Sequence, residues 1–430
     1  MDGPDKLKRA RGGHGGGGVG HSVDRLSALP DDLLHAVLSR LKARQVVRTC
    51  VLSTRWRHLW RSVPCLRVDQ REFHAAATGN GSLVERLSFN NFAHILLHRH
   101  NVALLEEFRL HEDPGYGYGY GYGYGYGRCH ADSWVRHGIS QDETWPSRLE
   151  RLHLNNVSLD GYFARHISSR CPALEDMRLK NCSYWLTEDI RFTSSSLKKL
   201  VIVGFHVVRE DASFRLILEA PALASLRLAG HSSNNYSVVM GLTTVTSMPS
   251  LVAASICLVT VSRFNYSNED NGPIERQLSL LNELFNVTTS HLSRFGVMFL
   301  VLGGDAGLFF PEFKNLKMLS LAECDISDDF LTLKHFLRNS PNLEKLTLRC
   351  CLPLFFAEVQ VSIGINTSIL FKILTLKYPL PEVSNDKAYK YFVDQVAAMV
   401  CELDAKENKV YGEGIIIYAR SYVRDIITSE

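Results

Sequence analysis

The sequence predicts a mixed α/β chain: a small three-helix unit followed by a solenoid of repeats with a parallel sheet on its concave face. Two observations predict this fold class. Between residues 24 and 66, apolar residues follow the spacing of short helices. Beyond residue 100, the pattern L-x-x-L-x-L recurs about every 25 residues, a period typical of solenoids whose repeats each contain one short strand.

The first 22 residues are basic and glycine-rich, and we expect a disordered tail because such a composition cannot bury enough apolar surface. The formal net charge of the whole chain is only +3, which does not indicate a nucleic-acid-binding protein. No apolar run is long enough to predict a membrane span, and the N-terminus lacks the apolar core of a secretory signal. We therefore expect a location in the nucleus, the cytoplasm or both, with reduced cysteines.

The segment 24–66 is dense in apolar residues at helical spacing. Pro30 suits the start of a helix, and Asp31 and Asp32 favour the positive end of its dipole. The apolar residues that then share one face are Leu33, Leu34, Val37, Leu38 and Leu41. Three short helices in about 40 residues lie at the lower size limit for an independent domain, so this unit is expected to need a partner surface.

The run LSALPDDLLHAVLSRLKARQVVRTCVLSTRWRHLWRSVPCLRV resembles the F-box, and most closely the F-box of large plant families that also carry leucine-rich repeats. The resemblance implies a non-enzymatic protein that binds a Skp-family adaptor and, through it, a cullin. The residues expected to contact the adaptor are Leu29, Pro30, Leu33, Leu34, Val37, Leu38, Val47 and Trp56.

After a predicted helical linker at 67–100, we expect leucine-rich repeats over 101–351. Strong copies of the pattern are Leu149-Leu152-Leu154, Leu174-Met177-Leu179, Leu197-Leu200-Ile202, Leu223-Leu226-Leu228, Leu316-Leu319-Leu321 and Leu343-Leu346-Leu348. Weaker copies are Leu105-Phe108-Leu110, Leu251-Ala254-Ile256 and Leu292-Phe295-Val297. The alternative, an α/β domain without true repeats, is disfavoured by nine copies in register. A Tyr-Gly repeat at 114–128 predicts a flexible surface insertion.

Residues 352–430 are predicted to form a C-terminal cap of uncertain fold. Ser384 could begin an amphipathic helix, and 414–418 is typical of a strand. In the plant family that the chain resembles, a region called FBD often follows the last repeat. The pattern here does not decide whether this segment is one.

In each repeat, the residue between the last two apolar positions is expected to point to the open concave face. Basic residues dominate these and the next outward positions in the first half of the arc. The residues predicted to bind a target are Arg109, His153, Arg178, Lys180 and Arg227, which would hold an acidic or phosphorylated segment. The alternative is an ordinary solvated face.

The sequence shows no phosphate-binding loop, H-E-x-x-H or G-x-S-x-G motif, so we expect no catalytic residues, cofactor or metal. The function predicted is substrate recognition for a Skp–cullin–F-box ubiquitin ligase, with the repeats binding a target protein. The alternative is a repeat scaffold or decoy whose F-box engages no ligase. The intact apolar face of the first helix favours the former, while the target and any small-molecule ligand stay open.

Overall fold

The computed structural model begins with helices and continues as a parallel-sheet solenoid, so the predicted fold class is confirmed. The residues that the structure describes are 26, 28–74, 83–113, 134, 148–184, 190–207, 213–230, 239–244, 248–257, 280–294, 310–324, 331–349, 358–366, 369–377 and 416–420. No helix within these ranges has the length and apolar character needed to cross a bilayer.

The N-terminal unit contains three short helices, α1 (Asp31–Leu38), α2 (Ala43–Arg48) and α3 (Trp56–Leu59). Pro30 lies immediately before α1 in an extended conformation, and its carbonyl accepts hydrogen bonds from the first turn. Buried apolar side chains from all three helices form the core of this unit. They are Leu34, Leu38, Ala43, Val46, Trp56 and Leu59.

The first strand, β1 (Cys65–Asp69), follows the helices directly, and a 3-10 turn (Gln70–Phe73) precedes the long helix α4 (Leu83–Arg99). The range 67–100, predicted as a helical linker, thus also holds the end of a strand. The predicted boundaries place Val63 and Leu66 in the helical unit and Val68 in the linker, although all three keep the repeat spacing and are buried.

The main sheet stacks one strand from each repeat, in parallel and in register. Its strands after β1 are β2 (Glu107–His111), β3 (Arg151–Asn155), β5 (Asp176–Lys180), β8 (Lys199–Val207), β10 (Ser225–Gly230), β12 (Ala253–Cys257), β13 (Thr289–Ser293), β14 (Met318–Ala322) and β15 (Lys345–Arg349). The residues at the second and last leucine positions of each pattern, most of them apolar, are buried on one face of this sheet. Each repeat covers its neighbour, and this stacking is what gives the solenoid a continuous core.

Smaller elements lie between the main strands. The helices are α5 (Phe163–Arg170) and α6 (Leu331–Arg338), and the strands are β4 (Ser158–Leu159), β6 (Ser183–Tyr184), β7 (Ile190–Thr193), β9 (Ser213–Glu219) and β11 (Val239–Thr244). Strands β7, β9 and β11 form a separate parallel sheet that the leucine pattern does not predict. Leu216 and Leu218 of β9 are fully buried, so this second sheet also contributes to the core.

In five repeats of the main sheet the backbone turns at the same pattern position. Two residues after the last leucine of several repeats, the backbone adopts a positive φ, as at Asn156, Asn181, Gly204, Arg294 and Glu323. The amide of Asn156 donates to the carbonyl of Lys180 in the next repeat, and the amide of Asn181 donates to that of Val203. The left-handed corner thus turns the chain off the sheet while satisfying its backbone donors.

Two buried cysteines support the same corners from inside. The thiol of Cys182 lies 3.7 Å from the carbonyl oxygen of Leu154, and that of Cys324 lies 3.8 Å from the carbonyl oxygen of Leu292. Each cysteine stands three residues after the last leucine of its repeat, where leucine-rich repeats commonly carry asparagine or cysteine. Burial raises the pKa of the Cys182 thiol to about 12.

One predicted repeat is wrong in register. The copy assigned to Leu292-Phe295-Val297 is replaced by β13, in which Leu292 is the last buried position and Ser290 the second. Because Ser290 occupies a position that usually carries leucine, the sequence pattern did not indicate the correct register of this repeat. The outward residue of this repeat is therefore His291, which pairs in register with Ser255 and Ser320, and the later two residues of the predicted copy lie outside the described part.

After β15 the sheet continues with β16 (Glu358–Asn366) and β17 (Ile369–Lys377), which pair antiparallel, and β18 (Ile416–Arg420), which pairs parallel to β17. The strand predicted at 414–418 overlaps β18. The helix predicted from Ser384 and the Tyr-Gly insertion lie outside the described residues. The C-terminal strands therefore extend the edge of the main sheet.

Candidate functional site

The first helix presents two apolar faces. Leu34 and Leu38 are fully buried in the core of the helical unit. Leu33 and Val37, one position earlier in each case, keep 53% and 49% of their surface exposed. Because residues four apart in a helix are neighbours, the latter two form one exposed apolar patch on α1.

The structure divides the residues predicted to contact an adaptor into two groups. Leu34, Leu38 and Trp56 are buried within the chain, so they can influence a partner only through the fold. The other predicted residues lie at or near the surface: Pro30, Leu33 and Val37 are exposed, and Leu29 and Val47 pack partly against the core. Exposed apolar residues that the prediction missed include Val51 and Leu52, which are 83% and 62% exposed.

Ion pairs join the helical unit to the first strand of the solenoid. The buried carboxylate of Asp69 in β1 lies 2.8 Å from Lys42 Nζ, at the start of α2, and accepts from the guanidinium of Arg71. Burial opposes its ionisation, but the hydrogen bonds from Arg71 and Lys42 outweigh burial and hold the pKa of Asp69 well below its usual range. The carboxylate therefore stays charged and bridges two elements.

The helix α4 contributes a second connection at the same junction. His100 is buried, and its Nε2 donates to the carbonyl oxygen of Val63 at 2.9 Å. Burial lowers the pKa of His100 to about 4, so the ring is neutral near pH 7. The amide of Asn101 donates to the carbonyl oxygen of Arg61 at 2.7 Å, and Arg61 lies just after α3. These contacts make the helical unit and the first repeats one continuous body.

On the face of the main sheet opposite the leucine core, each strand places one residue at the same register position, and these residues are partly or fully exposed except Val201 and Thr347, which are buried. We call this set of residues the central row. It consists of Arg67, Arg109, His153, Arg178, Val201, Arg227, Ser255, His291, Ser320 and Thr347. Four of the five predicted target-binding residues lie in this row, and Lys180 lies two residues beyond Arg178 on the same face of β5.

A buried glutamate neutralises the start of the central row. The carboxylate of Glu107 lies 2.9 Å from Arg151 Nε and 3.5 Å from Arg67 Nε, and it also contacts Arg109. Its side chain is only 6% exposed. Burial disfavours the charge, but hydrogen bonds from Arg151 and Arg109 prevail and lower the pKa of Glu107. Three arginines thus share one carboxylate.

A second acid neutralises the next part of the row. Asp176 accepts from Arg178 through both oxygens, at 2.9 Å from Nε and 2.6 Å from Nη2. His153 Nε2 lies 3.6 Å from the same carboxylate. Burial and, second, the charge of Arg178 lower the pKa of His153 to about 4, so its ring is neutral near pH 7. The predicted basic stripe is therefore partly compensated here.

Lys180 and Arg227 differ from these paired residues. Both are exposed, and neither takes part in an ion pair with the residues that the structure describes. The structure also brings His291 to the same face, which sequence reasoning missed because of the register error. Across the described ranges, no three potential ligands of the His, Cys, Asp or Glu type meet to hold a metal ion.

Comparison with known proteins identifies the helical unit and the family. A family model described as the F-box domain matches residues 26–67. The meiotic F-box protein MOF of Oryza sativa subsp. japonica is 31% identical over 365 residues, which cover 76% of this chain and 72% of that protein. The chain belongs to the plant F-box/leucine-rich-repeat family.

Other relatives of this F-box/LRR protein share both of its parts by name. A putative F-box/FBD/LRR-repeat protein of Arabidopsis thaliana is 26% identical over 357 residues, 76% of this chain and 77% of that protein. An F-box/LRR-repeat protein of the same plant is 24% identical over 390 residues, 76% of this chain and 78% of that protein. The similarity therefore extends well beyond the F-box into the solenoid.

Proposed function

We propose that this F-box/LRR protein is the substrate-recognition subunit of a Skp–cullin–F-box ubiquitin ligase. Its F-box match and its F-box relatives support an adaptor role in general. The helical unit binds the Skp-family adaptor, and the concave face binds a target protein. In this role the chain supplies no catalytic group and needs no cofactor. It acts by holding the target near a ubiquitin-loaded conjugating enzyme, which raises the effective concentration of the target at that enzyme.

The observation that carries this proposal is the exposed patch on α1. Leu33 and Val37 are half exposed, while Leu34 and Leu38 fix the same helix into the core from its other side. An apolar patch on a firmly held helix is suited to a protein partner, since covering it removes apolar surface from water without ordering a flexible segment. The patch lies inside the segment that matches the F-box.

The junction gives the proposal a geometric basis. Asp69, Lys42 and His100 connect the helical unit to the first repeats through buried or half-buried contacts. A target on the concave face is then held at a fixed position relative to the adaptor. Fixed geometry favours transfer, because the reacting groups need not search for one another.

The test compares two double variants of the full chain, co-expressed with the Skp adaptor and cullin. The test variant is Leu33→Ser with Val37→Ser. The control is Leu87→Ser with Val252→Ser, since these two are 53% and 51% exposed outside the patch. Co-purification of adaptor and cullin should be lost in the test variant and kept in the control. Adaptor binding retained by a folded test variant would contradict the proposal, and no binding by the unaltered chain would favour the scaffold or decoy alternative.

A further inference from the structure

The second half of the concave face contains a block of nine outward positions with no acidic residue. We call it the Ser255 block. It comprises three aligned positions on each of β10, β12 and β13: Ser225, Arg227, Ala229, Ala253, Ser255, Cys257, Thr289, His291 and Ser293. The first half differs, because there Glu107 and Asp176 stand two residues before Arg109 and Arg178 on the same strand face.

The register of the block places one nitrogen-bearing side chain on each side of the Ser255 hydroxyl. Arg227 and His291 are the register partners of Ser255 on its two neighbouring strands. Adjacent strands lie about 4.8 Å apart, so the two flanking residues are about 10 Å apart at their Cα atoms. The floor between them is formed by Ser255 and the small side chain of Ala253. A group of several ångströms can therefore reach the sheet between the arginine and the imidazole.

Arg227 is the one permanently charged residue among these nine positions, and its charge is positive. Burial lowers the pKa of His291, and the charges of Arg349 and Arg227 lower it further, while no carboxylate of the described residues is among the causes. Glu323, whose charge reaches the nearby Cys257, is held by Arg294 at 2.7 Å. An anion placed above Ser255 would thus gain attraction from Arg227 and would favour protonation of the imidazole beside it.

We propose that the Ser255 block binds a phosphorylated serine or threonine of the captured target, with the phosphate above Ser255 and between Arg227 and His291. This inference rests on the proposed function, because it assigns the target surface of a substrate-recognition subunit. A phosphate monoester carries close to two negative charges and three acceptor oxygens, which match the donors that a guanidinium, a hydroxyl and an imidazole offer from three neighbouring strands. A carboxylate offers one charge and two oxygens, so the donors fit it less completely.

The experiment uses the full chain co-purified with its adaptor. Its probe is a degenerate peptide pool with a fixed phosphoserine, compared with the same pool carrying serine and with inorganic phosphate as competitor. We expect the phosphorylated pool to bind at least about tenfold more tightly, because hydrogen bonds to a charged group are the stronger kind. Arg227→Gln and Ser255→Asp should each abolish this preference. Inorganic phosphate should compete at high concentration.

Matched variants separate a lost site from a lost fold. Arg165→Gln removes the same charge from the exposed face of α5 and should keep the preference, as should Ser255→Thr, which retains the hydroxyl. Equal binding of the two pools, or a preference that survives in Ser255→Asp, would overturn the inference. Adaptor co-purification is measured on the same samples. If it holds while the preference is absent, only this inference fails; if the unaltered chain binds no adaptor, the proposed function fails.

Discussion

Replacing Glu107 by glutamine tests the electrostatic description of the concave face. The substitution keeps the shape of the side chain and removes the charge that Arg67, Arg109 and Arg151 share. If the carboxylate neutralises the start of the central row, its loss leaves three arginines close together. We therefore expect Glu107→Gln to destabilise the folded chain.

The structure gives the size of the effect. Glu107 is 6% exposed, and hydrogen bonds from Arg151 and Arg109 hold its charge. Hydrogen bonds to charged groups contribute about 1.5–3 kcal/mol each. Neutralising the group also removes the cost of burying a charge, and the arginines are 33–43% exposed and can regain water. We expect a net loss of about 2 kcal/mol in the free energy of unfolding.

The effect depends on pH with a definite sign. The pKa of Glu107 is lower in the folded chain than in the unfolded chain. Its contribution is therefore fully present above the unfolded value of about 4.3 and is lost as the pH falls through the folded value. Urea midpoints of the two proteins should differ by a constant amount between about pH 5.5 and 7. The difference should shrink only as the pH falls below the unfolded value and through the lowered folded value.

The control is Glu150→Gln, which removes the exposed partner of Arg151 at 3.0 Å. Because Glu150 is 45% exposed, that pair should contribute about 0–1 kcal/mol. Equal midpoints for Glu107→Gln and the unaltered chain near pH 7 would refute the reasoning, as would a difference that does not change on acidification.

Three further outcomes follow from burial and backbone geometry. Leu34→Ala should lower the free energy of unfolding by about 2–5 kcal/mol, whereas Leu33→Ala should change it by less than about 0.5 kcal/mol. Equal urea midpoints for the two variants would contradict the division of α1 into a core face and a surface face. Cys182 should resist a thiol reagent in the native chain and react after unfolding, because it is buried and its pKa is raised to about 12. Rapid labelling of the native chain, measured by mass spectrometry, would exclude this packing. Gly204→Ala should destabilise the folded chain by at least about 1 kcal/mol, since φ is +66° and an added Cβ would collide with the Asn181 side chain. An unchanged melting temperature would contradict this expectation and show that the backbone at Gly204 relaxes.

The leucine pattern predicted most of the main sheet because its buried positions mostly carry large apolar residues. Strands β3, β5, β8, β10, β14 and β15 all follow it. It failed at β13, where Ser290 occupies a buried leucine position, and at β1, where Leu66 lies next to the helices. The sheet of β7, β9 and β11 has no repeat signature, so only three-dimensional packing reveals it.

The candidate surfaces were predictable in type but less so in detail. Helical spacing groups Leu33 with Leu34 but does not say which of them meets the core, since that depends on how α1 packs against α3. The acid partners on the concave face did have a sequence signal. Asp176 precedes Arg178 by two residues, and residues two apart in a strand share a face, so the pair could have been predicted. That Arg227 and His291 flank one serine required the true register.

The central claim is that this F-box/LRR protein connects a target to a ubiquitin ligase. Its most direct test is affinity purification of the chain from cells, with and without a proteasome inhibitor, followed by quantitative mass spectrometry. The account predicts that the Skp adaptor and cullin co-purify, and that at least one further protein accumulates when the proteasome is blocked. It also predicts that Leu33→Ser with Val37→Ser loses the adaptor and cullin but keeps that protein. Absence of adaptor and cullin from the unaltered chain, or their full retention by the folded double variant, would contradict it.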